Sequence, residues 1–244
     1  MHLRANVSDF LCEVRMTKAE LAKYIDSTLL DPKAGTKQID KLCDEALKYG
    51  FASVCILPMF VKRVAKRLAK TEVAVCTVID FPFGSSASGS KGFQSALAVQ
   101  QGAQEVDIVF PISAVLENNM KYVHKELETI VSATRRSLYT SRSVIIKFIL
   151  ETCYLSDEQI VACCEAAVKC GADFVKTSTG FAKARPSGAT VHAVELMRKT
   201  VGNDFGVKAS GGIRDTQTAL AMIAAGANRI GTSSGKAIVD GLPE

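Results

Sequence analysis

Tryptophan is absent from this chain of 244 residues, and histidine occurs three times, at His2, His124 and His192, too scattered to build a metal centre. The eight cysteines (Cys12, Cys43, Cys55, Cys76, Cys153, Cys163, Cys164 and Cys170) include no CxxC pair and no zinc spacing. Most lie in apolar runs, where cysteine acts as a small core hydrophobe, so reduced thiols in a reducing compartment are expected. No apolar run has the length a bilayer requires, and the most apolar segment, 143–150, is interrupted by Lys147. Arg4, Asp9, Glu13 and Arg15 break up the N-terminus and leave no secretory apolar core. A cytoplasmic protein without a membrane partner is expected. The net charge of +5 is small, and Lys62, Arg63, Lys66, Arg67 and Lys70 fall at helical spacing, as on a solvated helix face. No nucleic-acid partner is therefore expected, while a slight cationic excess suits an anionic metabolite. No linker or low-complexity segment divides the chain, so residues 1–244 read as one domain, with residues 1–15 as a short N-terminal extension.

What is present is a repeated junction. Gly50, Gly102, Gly171 and Gly226 each follow an apolar helical stretch and precede a short run rich in Val, Ile and Phe. Glycine past a helix end accepts positive φ without a Cβ penalty, and β-branched residues favour a buried strand. Completing the pattern predicts strands near 24–29, 52–57, 73–79, 104–109, 143–150, 173–178, 205–209 and 228–232. Helices are predicted at 36–49, 59–70, 91–101, 112–137, 157–170, 189–201 and 216–225, with a short one after Ser234. Ser156 with Gln159 forms a capping box, and Asp31 and Asp215 read as further caps. Eight strand–helix units in this length indicate an α/β fold, a (β/α)8 TIM barrel. An open dinucleotide-binding sheet would carry a Gly-rich turn after its first strand, where this chain has Leu30-Asp31-Pro32-Lys33. The Gly/Ser-rich run 84–90 reads as a mobile active-site loop.

Active sites of such barrels lie at the C-terminal strand ends. The residues expected there include Asp26, Thr28, Cys55, Asp80, Asp107, Lys147, Lys176 and Lys208. Lysine inside a short buried strand is costly unless paired or deprotonated. Three of them, on neighbouring strands and facing Asp26 and Asp107, point to function. Two close lysines disfavour each other's charge, one route to a nucleophilic amine that forms an imine with a carbonyl. A nearby carboxylate can move the protons. The sequence contains neither a metal cluster nor a cofactor fingerprint, so no cofactor and no metal are expected. The seventh strand is followed by Ser210-Gly211-Gly212-Ile213-Arg214 and the eighth by Gly231-Thr232-Ser233-Ser234-Gly235. Loops at these two positions recurrently bind phosphate in this barrel.

Phe174-Val175-Lys176-Thr177-Ser178-Thr179-Gly180 resembles the Schiff-base segment of the deoxyribose-phosphate aldolase family. The resemblance continues through 207–214, 229–234, 25–30, 54–58, 78–82 and 105–111. It implies a class I aldolase that reversibly cleaves 2-deoxy-D-ribose 5-phosphate to D-glyceraldehyde 3-phosphate and acetaldehyde, in deoxyribonucleotide and carbohydrate catabolism. By the same resemblance Lys176 forms the imine, Lys208 is its helper, and Asp107 serves the proton relay. Asp26, Thr28, Cys55, Lys147 and Thr179 belong to the sugar pocket. Gly180, Gly211, Gly212, Gly231, Ser233 and Ser234 hold the phosphate. The resemblance also implies a homodimer. Ser27, Asp80 and Ser210 depart from the family pattern, as does the lack of a tail ending in Tyr beyond Glu244. Two other readings stay open: another class I aldolase or transaldolase on the same barrel, and a catalytically silent phosphosugar-binding protein.

Overall fold

The computed structural model describes residues 16–137, 143–184 and 187–243. The expected extension, residues 1–15, lies outside them. Eight parallel strands close into a barrel in sequence order: β1 (Ile25–Leu29), β2 (Ser53–Ile56), β3 (Ala74–Ile79), β4 (Glu105–Val109), β5 (Ile145–Ile149), β6 (Phe174–Lys176), β7 (Gly206–Ser210) and β8 (Arg229–Thr232). Around them run α1 (Lys18–Ala22), α2 (Thr36–Tyr49), α3 (Val61–Arg67), α4 (Ser88–Gln100), α5 (Ile112–Leu116), α6 (Met120–Arg136), α7 (Asp157–Lys169), α8 (Val191–Val201), α9 (Thr216–Ala224) and α10 (Gly235–Asp240). The fold is the expected (β/α)8 barrel.

The junction glycines account for the regularity. Gly50, Gly102, Gly171 and Gly226 all have positive φ, so the chain leaves each helix and enters the next strand by the same turn. The outward strand residues, Val54, Ile56, Val106, Ile108, Ile146, Phe148, Val175, Val207 and Ile230 among them, are buried against the helices. The inward ones carry the charges described below. Basic residues of α3 lie on a solvated face, where Arg63 pairs with Asp40 and Arg67 with Asp44.

The structure departs from the sequence reading at several places. The stretch predicted as one helix over 112–137 is two, because Asn118 takes φ 55° and Asn119 caps α6 by accepting from the Tyr122 N–H. Asp31 does not cap α2. The helix begins later, behind Gly35, and the Asp31 carboxylate accepts instead from the Lys33 N–H at 2.8 Å. Asp215 and the Ser156–Gln159 box do cap their helices. The Gly/Ser-rich loop is hydrogen-bonded at Gly84 and Ser86. Asp80 (φ 51°) accepts from the Ser86 N–H at 2.8 Å, and buried Lys91 donates to the Gly84 carbonyl at 2.8 Å and to Glu126 at 2.7 Å. This loop borders a separate cavity with Pro111, Ser113 and Tyr122, whose lining includes none of Lys147, Lys176 and Lys208.

Candidate active site

Register brings the charged residues together. Lys176 on β6 and Lys208 on β7 are direct partners across the sheet, as are Asp107 and Lys147 on β4 and β5. Adjacent strands lie about 4.8 Å apart, so long side chains on the inner face converge. The Lys176 and Lys208 ammonium nitrogens both reach Asp107 Oδ2, each at 2.8 Å, while Lys147 reaches Asp107 Oδ1 at 2.9 Å. Lys208 also contacts Asp26 Oδ2 at 2.6 Å, an ionic contact that is not aligned as a hydrogen bond. Gly231 makes room for this arrangement: a Cβ there would stand 3.0 Å from Lys208 Cε and 2.9 Å from Ser210 Cβ.

Burial makes these pairings strong. For Asp107 it opposes ionisation, but Lys147, Lys176 and Lys208 outweigh it and hold the carboxyl well below the usual range. For Asp26 burial is likewise overcome by Lys208, Arg229 and Lys147. Burial also opposes the charge of Lys208, yet Asp107 and Asp26 raise its affinity for the proton above that of an ordinary lysine. The expected mutual depression of two lysines therefore does not extend to Lys208, which stays an ammonium. Lys147 is raised as well, burial being offset by Asp107, Cys76 and Glu105.

Above the cluster opens a cavity of about 550 Å³. Lys176 forms its floor with Thr28 and Thr179, and Gly180, Gly211, Gly212, Gly231 and Ser233 lie on its walls. Gly211 and Gly212 have φ near 89° and 82°, and a side chain on Gly212 would point into open space. Asp26, Cys55, Asp107, Lys147 and Lys208 lie below this lining. Cys55 packs with Leu30, Cys76 and Val78 under Phe81. The Ser234 N–H is spent on Thr232 Oγ1 at 2.9 Å. Of the departures from the family pattern, Asp80 turns into its own loop, and the Ser210 hydroxyl donates to the Ser178 carbonyl at 2.5 Å.

Four groups escaped the sequence reading. Glu105 and Arg229 join the charged cluster, and Cys76 lies against Asp107 at 3.3 Å. Glu151, left-handed at φ 59° and buried, accepts from the Thr179 N–H at 3.1 Å and from its hydroxyl. The signal for Glu105 and Arg229 was period-two spacing, two residues before Asp107 and Gly231. Among the described residues, one group could offer three metal ligands: Cys55, Cys76 and Asp107. Three lysines already occupy Asp107, and their charge disfavours a dication there.

A parallel barrel with amines gathered on one carboxylate beneath an open cavity defines an aldolase of the lysine-imine class. The profile of the DeoC/LacD family aldolases matches residues 20–241, and the chain belongs to that family. It is 51% identical over 220 residues to the deoxyribose-phosphate aldolase of Thermoanaerobacter pseudethanolicus, covering 90% of this chain and 96% of that one. It is 50% identical over 219 residues to the enzyme of the same name from Brevibacillus brevis, covering 90% and 95%. A solved structure described as a unique tetrameric deoxyribose phosphate aldolase from Aeropyrum pernix superposes with a TM-score of 0.85 at 30% identity, covering 98% and 97%.

Proposed function

We propose that this chain is a deoxyribose-phosphate aldolase that works without a cofactor. It reversibly cleaves 2-deoxy-D-ribose 5-phosphate to D-glyceraldehyde 3-phosphate and acetaldehyde. One observation carries the reading: two lysine amines share a single oxygen of Asp107, and one of them, Lys176, lines a glycine-rich cavity. The names of the relatives at 50–51% identity point the same way.

In this reading the Lys176 amine attacks C1 of the open-chain sugar and water leaves, giving a protonated imine. A base, Asp107 directly or through water, takes the proton from the C3 hydroxyl. The C2–C3 bond then breaks, its electron pair enters the iminium, and glyceraldehyde 3-phosphate departs. The enamine is protonated at C2, and hydrolysis of the imine frees acetaldehyde and the lysine. Lys208, held as an ammonium, stabilises Asp107 as an anion and passes protons across it. Among the described residues Lys176 has one carboxylate contact, shared with two other lysines, which makes it the least compensated cation of the set. At the other end of the substrate, the turns at Gly180, Gly211–Gly212 and Ser233 present backbone to the phosphate, with Lys33 and Arg214 at the rim.

The same reading includes one barrel domain as the working unit, a cytoplasmic setting in deoxyribonucleotide breakdown, and self-association as a homodimer. Borohydride reduction in the presence of acetaldehyde tests the chemistry. It should label Lys176, and Lys176→Arg should lose both label and activity. Lys208→Leu should still be labelled at Lys176, more slowly at neutral pH and faster as the pH rises. A label on Lys208 in the Lys176 variant would reverse the two assignments.

A further inference from the structure

Lys176, Asp107 and Lys208 serve the chemistry proposed above, Asp26 and Lys147 pair with them directly, and Glu105 and Arg229 have no part in it. They lie deeper on β4 and β8. The Arg229 guanidinium donates to Asp26 Oδ1 on one side and to Glu105 Oε1 on the other. Lys147 joins Glu105 Oε2 at 2.5 Å to Asp107 Oδ1 at 2.9 Å. Lys208 joins Asp107 Oδ2 at 2.8 Å to Asp26 Oδ2 at 2.6 Å. Followed in order, the contacts run Arg229, Asp26, Lys208, Asp107, Lys147, Glu105 and back to Arg229. The path is a closed ring in which cation and anion alternate, three of each. Among the described residues, Lys176 hangs from it by Asp107 Oδ2 alone.

We infer that Glu105 and Arg229 are positioning residues of this aldolase: by closing the ring they keep Lys147 and Lys208 charged and fixed, and leave Lys176 as the one amine whose proton is not needed for balance. The inference rests on the reading of Lys176 as the nucleophile. Its physical basis is charge neutrality in a water-poor interior. All members are buried apart from Arg229, whose side chain is 12% exposed, and with little screening an unpaired charge there acts over several ångströms. The ionisable groups facing the centre are Asp26 from β1, Cys55 from β2, Cys76 from β3, Glu105 and Asp107 from β4, Lys147 from β5, Lys176 from β6, Lys208 from β7 and Arg229 from β8. Cys55 and Cys76 lie side by side next to Asp107: the neighbouring Cys76 lowers the pKa of Cys55, while burial, first, and the nearby Cys55 and Asp107 raise that of Cys76.

The rate of imine trapping at Lys176, measured against pH with acetaldehyde and borohydride, reads the charge balance directly. Glu105→Gln leaves the ring one anion short, so the trapping midpoint should move to lower pH by roughly half to one unit. Arg229→Met leaves it one cation short and should move the midpoint to higher pH by a similar amount. The double variant is neutral again and should return close to the wild-type midpoint. Arg229→Lys keeps the charge and should keep the midpoint even if stability falls. In all variants kcat should change more than KM for the phosphorylated sugar, because the phosphate turns are untouched. A merely structural role would lower activity without moving the midpoints in opposite directions, and unshifted midpoints overturn the inference. Should Arg229→Met fail to fold, Glu105→Gln decides alone: a downward shift supports the ring and an unchanged midpoint refutes it. A wild-type protein that cannot be trapped at Lys176 at any pH would instead remove the aldolase reading itself.

Discussion

At the scale of single residues, the site depends as much on side chains that are missing as on those present. Gly231 leaves space for the Lys208 stem, and Gly212 leaves space for something else, since among the described residues nothing beyond its chain neighbours lies within 4 Å of its absent Cβ. That emptiness faces the cavity. Gly212→Val would therefore fill the place proposed for the phosphate, besides imposing a β-branched residue on φ 82°. KM for deoxyribose 5-phosphate should rise far more than KM for unphosphorylated deoxyribose, read from steady-state kinetics on both sugars. Equal losses on the two would show damage to the fold rather than to anion binding. Much of this site was legible residue by residue. Lys147, Lys176 and Lys208 were conspicuous because an ammonium inside an apolar strand demands a partner. Glu105 and Arg229 were not, since each sits near the start of its strand, where a charge ordinarily reads as solvated. Only the closure of the barrel, which brings β4 and β8 to face each other across the interior, makes them a pair.

At the scale of elements, the glycine junctions made the barrel readable, and observed strands lie within one to two residues of the expected bounds at most ends. The errors fell where a local conformation overrides periodicity. The apolar pattern runs on through Glu117-Asn118-Asn119, yet asparagine tolerates the left-handed turn that splits α5 from α6. The segment joining β5 to α7 shows the same effect put to use. Glu151 takes a left-handed conformation directly after β5, and this turns its carboxylate onto the Thr179 N–H and hydroxyl of the loop after β6. The Thr179 hydroxyl in turn accepts from the Phe181 N–H at 3.0 Å, so Glu151 sets the course of the Gly180 turn. Glu151→Gln keeps the volume but puts an amide where two donors need an acceptor. An unsatisfied buried group costs about 1–3 kcal/mol, which at the lower end is roughly fivefold in affinity. KM for the phosphorylated sugar should rise by about that factor, while borohydride trapping of acetaldehyde at Lys176 stays near the wild-type rate. Loss of trapping would mean that the loop supports the lysines rather than the phosphate turn.

At the scale of the whole molecule, one ionic network passes through the middle of the barrel and joins β1 with β4 to β8, and β3 enters it through the Cys76 thiol. Breaking one partner of a buried ion pair typically costs about 3–5 kcal/mol, so the protonation state of this network bears on global stability. Asp26 and Asp107 are held well below the ordinary carboxylate range. Groups depressed in the folded state contribute stability that is present above their unfolded value of about 3.9 and is lost as the pH falls toward the folded one. Lys147 and Lys208 are held above the ordinary lysine range. Their contribution is complete below the unfolded value of about 10.4 and is lost as the pH rises through the folded values. Both ends thus predict a broad plateau in the thermal midpoint, from about pH 5 to about pH 10, with a fall on either side. Calorimetry across that range at constant ionic strength would show it. Because buried charges are screened far less than exposed ones, the acid edge should hold its position between low and high salt, which surface pairs such as Arg63–Asp40 would not ensure. An acid edge that begins above pH 6, or that moves strongly with salt, would mean that the central carboxylates are not paired in the native barrel as their geometry requires.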